Sequence, residues 1–260
     1  MGALEGRVVV VTSSTRGLDR GIVQAFVDEG AFVVLHGRSE AKARQELDAG
    51  NAVRFVQGDA RVREDCERVV DEAVAAFGKV DILLNNAGGA QDNAPVADLT
   101  DDALGEALRW NVWSTFWCTR RTLRDMLPRE WGRVITIRSL EGKCGKPIVS
   151  SYVTSKHAVN GFTKACAAEV GPHGGTARHH RQRAVPGRDG HDIMREVGAK
   201  AAAARGMTYE ELLGVFARES ATIRMTAIAD VAAVAVLLAS DAAAGISGSL
   251  ISVDGGTARY

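Results

Sequence analysis

Tyr152 and Lys156 stand four residues apart in a stretch that reads as helix, so their side chains share one face. An ammonium beside a phenol favours the phenolate and lowers its pKa, giving an acid/base group usable near neutrality. Ser139 closes a β-branched run upstream, where its hydroxyl can hydrogen-bond the oxygen that receives the tyrosine proton. A Tyr-x-x-x-Lys pair alone is common on helix surfaces; the serine and an earlier turn in the right order give it chemical meaning. That turn is Thr12-Ser13-Ser14-Thr15-Arg16-Gly17-Leu18, between an apolar run and a helical stretch. Such a junction aims helix N-terminal amides at a phosphate, although an ordinary strand–helix turn reads the same way. Asn85-Asn86-Ala87-Gly88 ends another apolar run in small and amide residues, and Asn85 equally suits a plain turn. Asn111 lies in an apolar helical stretch and needs partners there, as a structural bridge or as part of a proton relay. Trp110, Trp113 and Trp117 share a helix face and, with Phe116, supply aromatic area for the core or for a subunit interface.

Strand-like runs at Val8–Thr12, Ala31–His36, Val53–Gln57, Val80–Leu84, Arg133–Ile137 and Ser249–Val253 must carry these groups. Helical patterns lie between and beyond them: Ile22 to Val27, Ala41–Leu47, Glu64–Phe77, Asp101 or Asp102 (either able to cap) toward Leu127, Tyr152–Val170, Ile193–Ala204, Thr208–Glu219 and Ala229–Leu238. The alternation predicts an α/β fold, a single doubly wound parallel sheet of Rossmann type with helices on both faces. No linker or repeat breaks residues 1–260, so one domain is expected. Composition agrees: 46% hydrophobic and 25% charged residues are ordinary for a globular chain of 260 residues. Lys+Arg 32 against Asp+Glu 32 removes the usual electrostatic reason for binding nucleic acid. The longest apolar runs, such as Ala232–Ala239, are too short to span a bilayer, and the N-terminal residues lack a secretory pattern, so the expectation is a cytoplasmic protein without a membrane partner. Cys66, Cys118, Cys144 and Cys166 are too scattered for a zinc site or disulfide framework, and no metal is expected.

The order Thr12…Gly17, Asn85-Asn86-Ala87-Gly88, Asn111, Ser139, Tyr152-x-x-x-Lys156, Pro186-Gly187 and Val253-Asp-Gly-Gly256 resembles the short-chain dehydrogenase/reductase family over nearly the whole chain. It is most similar to the branch of 3-oxoacyl-carrier-protein reductases and hydroxybutyrate or secondary-alcohol dehydrogenases. The resemblance implies an oxidoreductase moving a hydride between a nicotinamide cofactor and a small carbonyl or alcohol substrate. Tyr152 would be the general acid/base, Lys156 would lower its pKa and hold the nicotinamide ribose, Ser139 would orient the carbonyl, and Asn111 would anchor a relay water. Thr12, Ser13, Thr15, Arg16, Gly17 and Leu18 would form the phosphate turn. Asp59 and Ala60 would lie at the adenine, Asn86, Ala87 and Gly88 along the ribose, and Pro186 and Gly187 near the nicotinamide. A substrate lid is expected around residues 187–222, and a homo-oligomer, tetramer or dimer, through the helices around Leu104–Leu127 and Tyr152–Val170.

Leu35-His36-Gly37-Arg38 carries no acid at the end of the second strand, where NAD-preferring relatives place one for the ribose hydroxyls. Arg38 and Arg16 instead offer two guanidiniums for a 2′-phosphate, so NADP(H) is the expected cofactor, with NAD(H) as the other possibility. Three features depart from the family pattern. Ser13 and Asp19 replace glycines, and a carboxylate at position 19 near the pyrophosphate would repel it. Arg138 replaces a small residue before the serine. Gly175–His191 replaces an apolar strand with Thr-Ala-Arg-His-His-Arg-Gln-Arg-Ala-Val, expected to be unfit for a central strand and to fold irregularly or outward. Read one base over, codons for His179 to His191 can restore Val-Asn-Ala-Leu-Cys-Pro-Gly-x-x-x-Thr, so a compensated frameshift is inferred. The alternative function is a non-catalytic relative serving as a scaffold or nucleotide-binding partner.

Overall fold

Four consecutive valines, Val8–Val11 (β1), have no polar face to offer solvent, and all four are buried. They lie inside a seven-stranded parallel sheet of order β3-β2-β1-β4-β5-β6-β7, with β2 at Phe32–Gly37, β3 at Val53–Gln57, β4 at Ile82–Asn85, β5 at Arg133–Arg138, β6 at Thr176–Gln182 and β7 at Leu250–Val253. The computed structural model describes residues 2–13, 18–40, 52–171, 176–182, 198–199, 202–203 and 205–257, with backbone alone at 18–19 and 176–182. Strand order reverses between β1 and β4, which pair in the register Val9↔Ile82 to Val11↔Leu84. The crevice at such a switch, outside the carboxyl ends of the strands, is where open α/β sheets take ligands.

Both faces of the sheet are covered. On one, α1 (Leu18–Asp28) and α7 (Ile228–Ala239) bury Ile22, Val23, Phe26, Val231, Ala235 and Leu238 against Val9, Val33 and Ile135. Gly21 allows this approach, because a Cβ there would run into Cγ2 of Ile228. On the other, α2 (Arg63–Phe77) and α4 (Ser114–Met126) bury Cys66, Val69, Val70, Trp117 and Cys118 against Val10, Val34 and Leu83. Each fully buried aliphatic or aromatic side chain contributes about 1.5–3 kcal/mol by leaving water.

The helix expected from Asp101 or Asp102 toward Leu127 is three pieces in one run: α3 (Asp101–Leu108), a π-helical turn (Arg109–Trp113) and α4. Its cap is Thr100, one residue earlier than the sequence indicated, whose hydroxyl accepts from the Ala103 amide at 3.2 Å. The remaining helices are α5 (Ser150–Val170) and α6 (Tyr209–Arg218), the latter started by a capping box between Thr208 and Glu211. The expected helices at Ala41–Leu47 and, save for a few helical residues, Ile193–Ala204 lie outside the described residues.

One expectation is corrected. Thr176–Gln182 is not irregular or displaced: it pairs with β5 from Arg133↔Thr176 to Arg138↔Arg181 and with β7 from His179↔Leu250 to Gln182↔Val253. Two neighbouring ladders offer amides and carbonyls to any backbone of the right length, and satisfying them outweighs a poor strand pattern. Residues 183–190, with Pro186 and Gly187, and His191 lie outside the described residues.

Candidate active site

Thr12 leaves the carboxyl end of β1 buried, and its hydroxyl accepts from the amides of Asn86 and Ala87 at 3.0 and 3.1 Å. Asn86 replies through Nδ2, which donates to the carbonyls of Thr12 and Ser13, both at 3.3 Å. The ends of the two strands at the switch are thus laced together. Ser13 has φ +55, a left-handed conformation in which glycine is normally favoured, so the backbone keeps the glycine-type turn although the residue is serine. Ser14, Thr15, Arg16 and Gly17 lie outside the described residues, as do the side chains of Leu18 and Asp19.

The turn continues to Gly88 and Gly89, where absent side chains make room. A Cβ on Gly88 would sit 2.5 Å from Asn111 Oδ1 and 2.7 Å from Lys156 Nζ, and one on Gly89 would meet the Trp110 ring at 2.7 Å. The structure therefore brings Asn111 and Lys156 together beside the glycines. Asn111 owes its place to the π-helical turn: Nδ2 donates to the carbonyls of Ala107 and Gly89, both at 2.7 Å. Its buried Oδ1, beside Gly88, has no hydrogen-bond partner among the described residues and so is an acceptor without a donor.

Ser139 follows β5, and α5 carries Tyr152 and Lys156 back over it. The Lys156 ammonium lies over the Tyr152 ring, 5.3 Å from its centroid. The phenol is not lowered as the sequence indicated: burial, with the Glu141 charge adding to it, pushes it up to about 12, while Ser139 and the Arg138 guanidinium pull the other way. Burial also brings Lys156 down to about 7, helped by Arg138 and opposed by Glu141. Burial of the phenol, which helix spacing does not reveal, accounts for the difference. Ser139 donates to Oε2 of Glu141, whose other oxygen meets Lys146 at 3.3 Å. Arg138, 4% exposed, directs Nη2 toward Gly142. Sequence reasoning missed Glu141 altogether and saw Arg138 only as a departure; the available signal was an acid two residues after the serine.

At the other end of the crevice, Arg38 is exposed, and its carbonyl accepts from Gln57. Asp59 is held by Arg61, whose Nη2 and Nε reach its two oxygens at 2.7 and 3.1 Å, while Ala60 is buried. The Arg61 hydrogen bond keeps the Asp59 carboxyl below its usual range, and Arg38 adds to the effect. Among the described residues no cluster of His, Cys, Asp and Glu could hold a metal.

Residues 7–178 match the short chain dehydrogenase family, and residues 197–258 match the enoyl-(acyl carrier protein) reductase family. The chain belongs to the short-chain dehydrogenase family. It is an NAD(P)-dependent oxidoreductase of that family, and its relatives include ketoreductases. The 3beta-hydroxysteroid dehydrogenase 2 of Eggerthella lenta is 33% identical, over 99% of this chain and 96% of that protein. The 3-oxoacyl-acyl-carrier-protein reductase of Haemophilus influenzae is 31% identical, over 97% of this chain and 98% of that protein. Among solved structures, an actinorhodin polyketide ketoreductase with NADPH superposes with a TM-score of 0.89 at 28% identity, covering all of both chains. No helix among the described residues is long and apolar enough to cross a membrane.

The crevice fits a nicotinamide dinucleotide. At Gly88 the orphaned Asn111 Oδ1 supplies an acceptor and Lys156 a donor, both close to the backbone because a Cβ is absent there.

Proposed function

We propose that this dehydrogenase reduces a small ketone to a secondary alcohol with NADPH, with Tyr152 as proton donor. The observation that carries the reading is the meeting of Tyr152, Lys156 and Asn111 with Ser139 at the carboxyl edge of β4 and β5, beside Gly88, whose missing side chain lets Asn111 and Lys156 approach the backbone. A bound reduced nicotinamide supplies the hydride for the carbonyl carbon.

Tyr152, with its pKa near 12, holds its proton throughout the neutral range and delivers it to the developing alkoxide. Ser139 donates a second hydrogen bond to the same oxygen, fixing the carbonyl and stabilising its charge. Lys156, near 7, can take a proton from solvent and pass it on at neutral pH, and the unpartnered Asn111 Oδ1 would accept from a relay water. Thr12, Ser13, Thr15, Arg16, Gly17 and Leu18 would take the pyrophosphate, Asp59 and Ala60 the adenine, Asn86 to Gly88 the ribose, and Pro186 and Gly187 the nicotinamide. Arg38, exposed at the end of β2 with no acid beside it on that strand, supports a 2′-phosphate and hence NADP(H) over NAD(H).

Residues 187–222 are the proposed substrate lid of a single domain spanning 1–260. A homotetramer or dimer is proposed through α4 and α5, and four free cysteines suit a reducing cytoplasm. Quenching titrations with NADPH and NADH, followed by a ketone panel, test the reading. Tighter binding of NADPH and its oxidation by a ketone are expected; an enzyme that binds neither nucleotide is not a reductase.

A further inference from the structure

Ser139 has one hydroxyl proton, and it directs that proton at Oε2 of Glu141, two residues along the turn that follows β5. The other carboxylate oxygen faces the Lys146 ammonium at 3.3 Å. The Glu141 side chain is 18% exposed and that of Lys146 60%, so the carboxylate belongs to the pocket and its cation to the solvent. The carboxylate is also close enough to act on both other members of the constellation, raising the Tyr152 phenol and the Lys156 ammonium alike.

This arrangement conflicts with what Ser139 must do in carbonyl reduction. A carbonyl oxygen only accepts, so Ser139 has to donate to it, and one proton cannot serve carboxylate and carbonyl together. When Ser139 turns to the substrate, Oε2 of Glu141 loses its serine donor. A largely buried carboxylate that loses a hydrogen bond keeps the cost of its desolvation. A hydroxyl on the substrate carbon next to the carbonyl resolves the conflict. The two oxygens of such a group can lie about 2.8 Å apart, one hydrogen-bond length. The carbonyl oxygen then receives the Ser139 proton while the neighbouring hydroxyl gives its own to Glu141.

We propose that Glu141 is a specificity-determining residue that selects α-hydroxy ketones, its carboxylate accepting the substrate hydroxyl once Ser139 has turned to the carbonyl. The proposal rests on the reductase reading above. The reaction balances as reduction of an α-hydroxy ketone to a vicinal diol: the carbonyl carbon gains a hydride from NADPH, which is oxidised to NADP+, and the oxygen gains the Tyr152 proton. A ketone without the hydroxyl leaves Glu141 short of a donor, and a hydrogen bond to a charged group is worth roughly ten- to a hundredfold in specificity.

Steady-state reduction of 2-hydroxycyclohexanone and cyclohexanone by the whole enzyme with NADPH tests this. Wild type is expected to favour the hydroxy ketone by roughly ten- to a hundredfold in kcat/KM. Glu141→Gln, which keeps the shape but loses the charge and one acceptor, should bring the ratio toward parity. It should also lower the pH at which diol oxidation is half-maximal, which a merely structural residue would not do. Glu141→Asp, retaining the charge, should restore part of the preference. Equal kcat/KM for the two ketones in wild type overturns the proposal, and needs no variant to fold. So does a preference that survives Glu141→Gln, or an enzyme that binds NADPH yet neither binds nor reduces either ketone. Failure to bind NADPH or NADH contradicts the reductase reading instead.

Discussion

Arg38 follows β2 as an exposed guanidinium whose charge is felt by Asp59 across the strand ends. Arg38→Asp replaces the proposed phosphate-binding cation with an acid of the kind that would accept from ribose hydroxyls. The ratio of kcat/KM for NADPH over NADH should fall at least about tenfold, the scale of one charge-assisted contact; an unchanged ratio places cofactor choice elsewhere. Two residues earlier, His36 is fully buried and burial lowers it to about 4, with Asp65 opposing and Arg68 assisting. Between pH 6.5 and about 4 the unfolded chain binds a proton that the folded chain refuses, so stability falls as the solution is acidified through that window, by up to about 3 kcal/mol. Melting temperatures of wild type and His36→Gln, followed from pH 7 to pH 4, check this: the variant should show the shallower acid limb. Tyr152 and Lys156 are legible in sequence because helix periodicity puts them on one face, and Asn111 because an amide in an apolar helical stretch needs partners. Glu141 and Arg138 are not, because their influence on the phenol depends on the path of a turn and on burial, neither of which leaves a periodic trace.

At the scale of elements, the valine run of β1, the stripe Ile22–Val23–Phe26 and the long helix α5 follow from pattern alone, and the parallel alternation dictates the switch between β1 and β4. Two elements escaped the pattern. The π-helical turn at Arg109–Trp113 brings the Asn111 amide onto the Ala107 carbonyl, a local bond invisible to periodicity. β6 reads as an unsuitable strand, yet its backbone completes both neighbouring ladders. The matched family segments end at residue 178 and resume at residue 197, so all but the first four residues of the Gly175–His191 stretch fall in the gap between them. The frameshift inference therefore gives a definite expectation for the native gene product. Peptide mapping across Thr176–Ile193, together with intact mass, should find Val-Asn-Ala-Leu-Cys-Pro-Gly-like residues in active enzyme. Recovering His-His-Arg-Gln-Arg-Ala-Val-Pro-Gly from active, cofactor-binding protein would refute the inference.

For the whole molecule, the aromatic group of the middle helices divides its duties. Trp117 is buried in the core and Trp110 lies by Gly89, whereas Trp113 is 49% exposed and stacks on Trp117 at 5.7 Å. Phe116 stands edge-on to Trp113 and to Phe162 of α5, so an aromatic strip runs from α4 to α5. Aromatic side chains of this kind anchor interfaces at their centres. Light scattering at micromolar concentration should show a tetramer or dimer, and Trp113→Glu should dissociate it while leaving the far-UV circular dichroism unchanged. A monomeric wild type removes the strip from assembly.

Tyr152 is the proposed proton donor of a ketone reduction. Tyr152→Phe keeps the ring and its packing and removes one oxygen, so NADPH should bind as in wild type while turnover of the best ketone falls at least about a hundredfold. Turnover near the wild-type rate with NADPH bound would contradict the account.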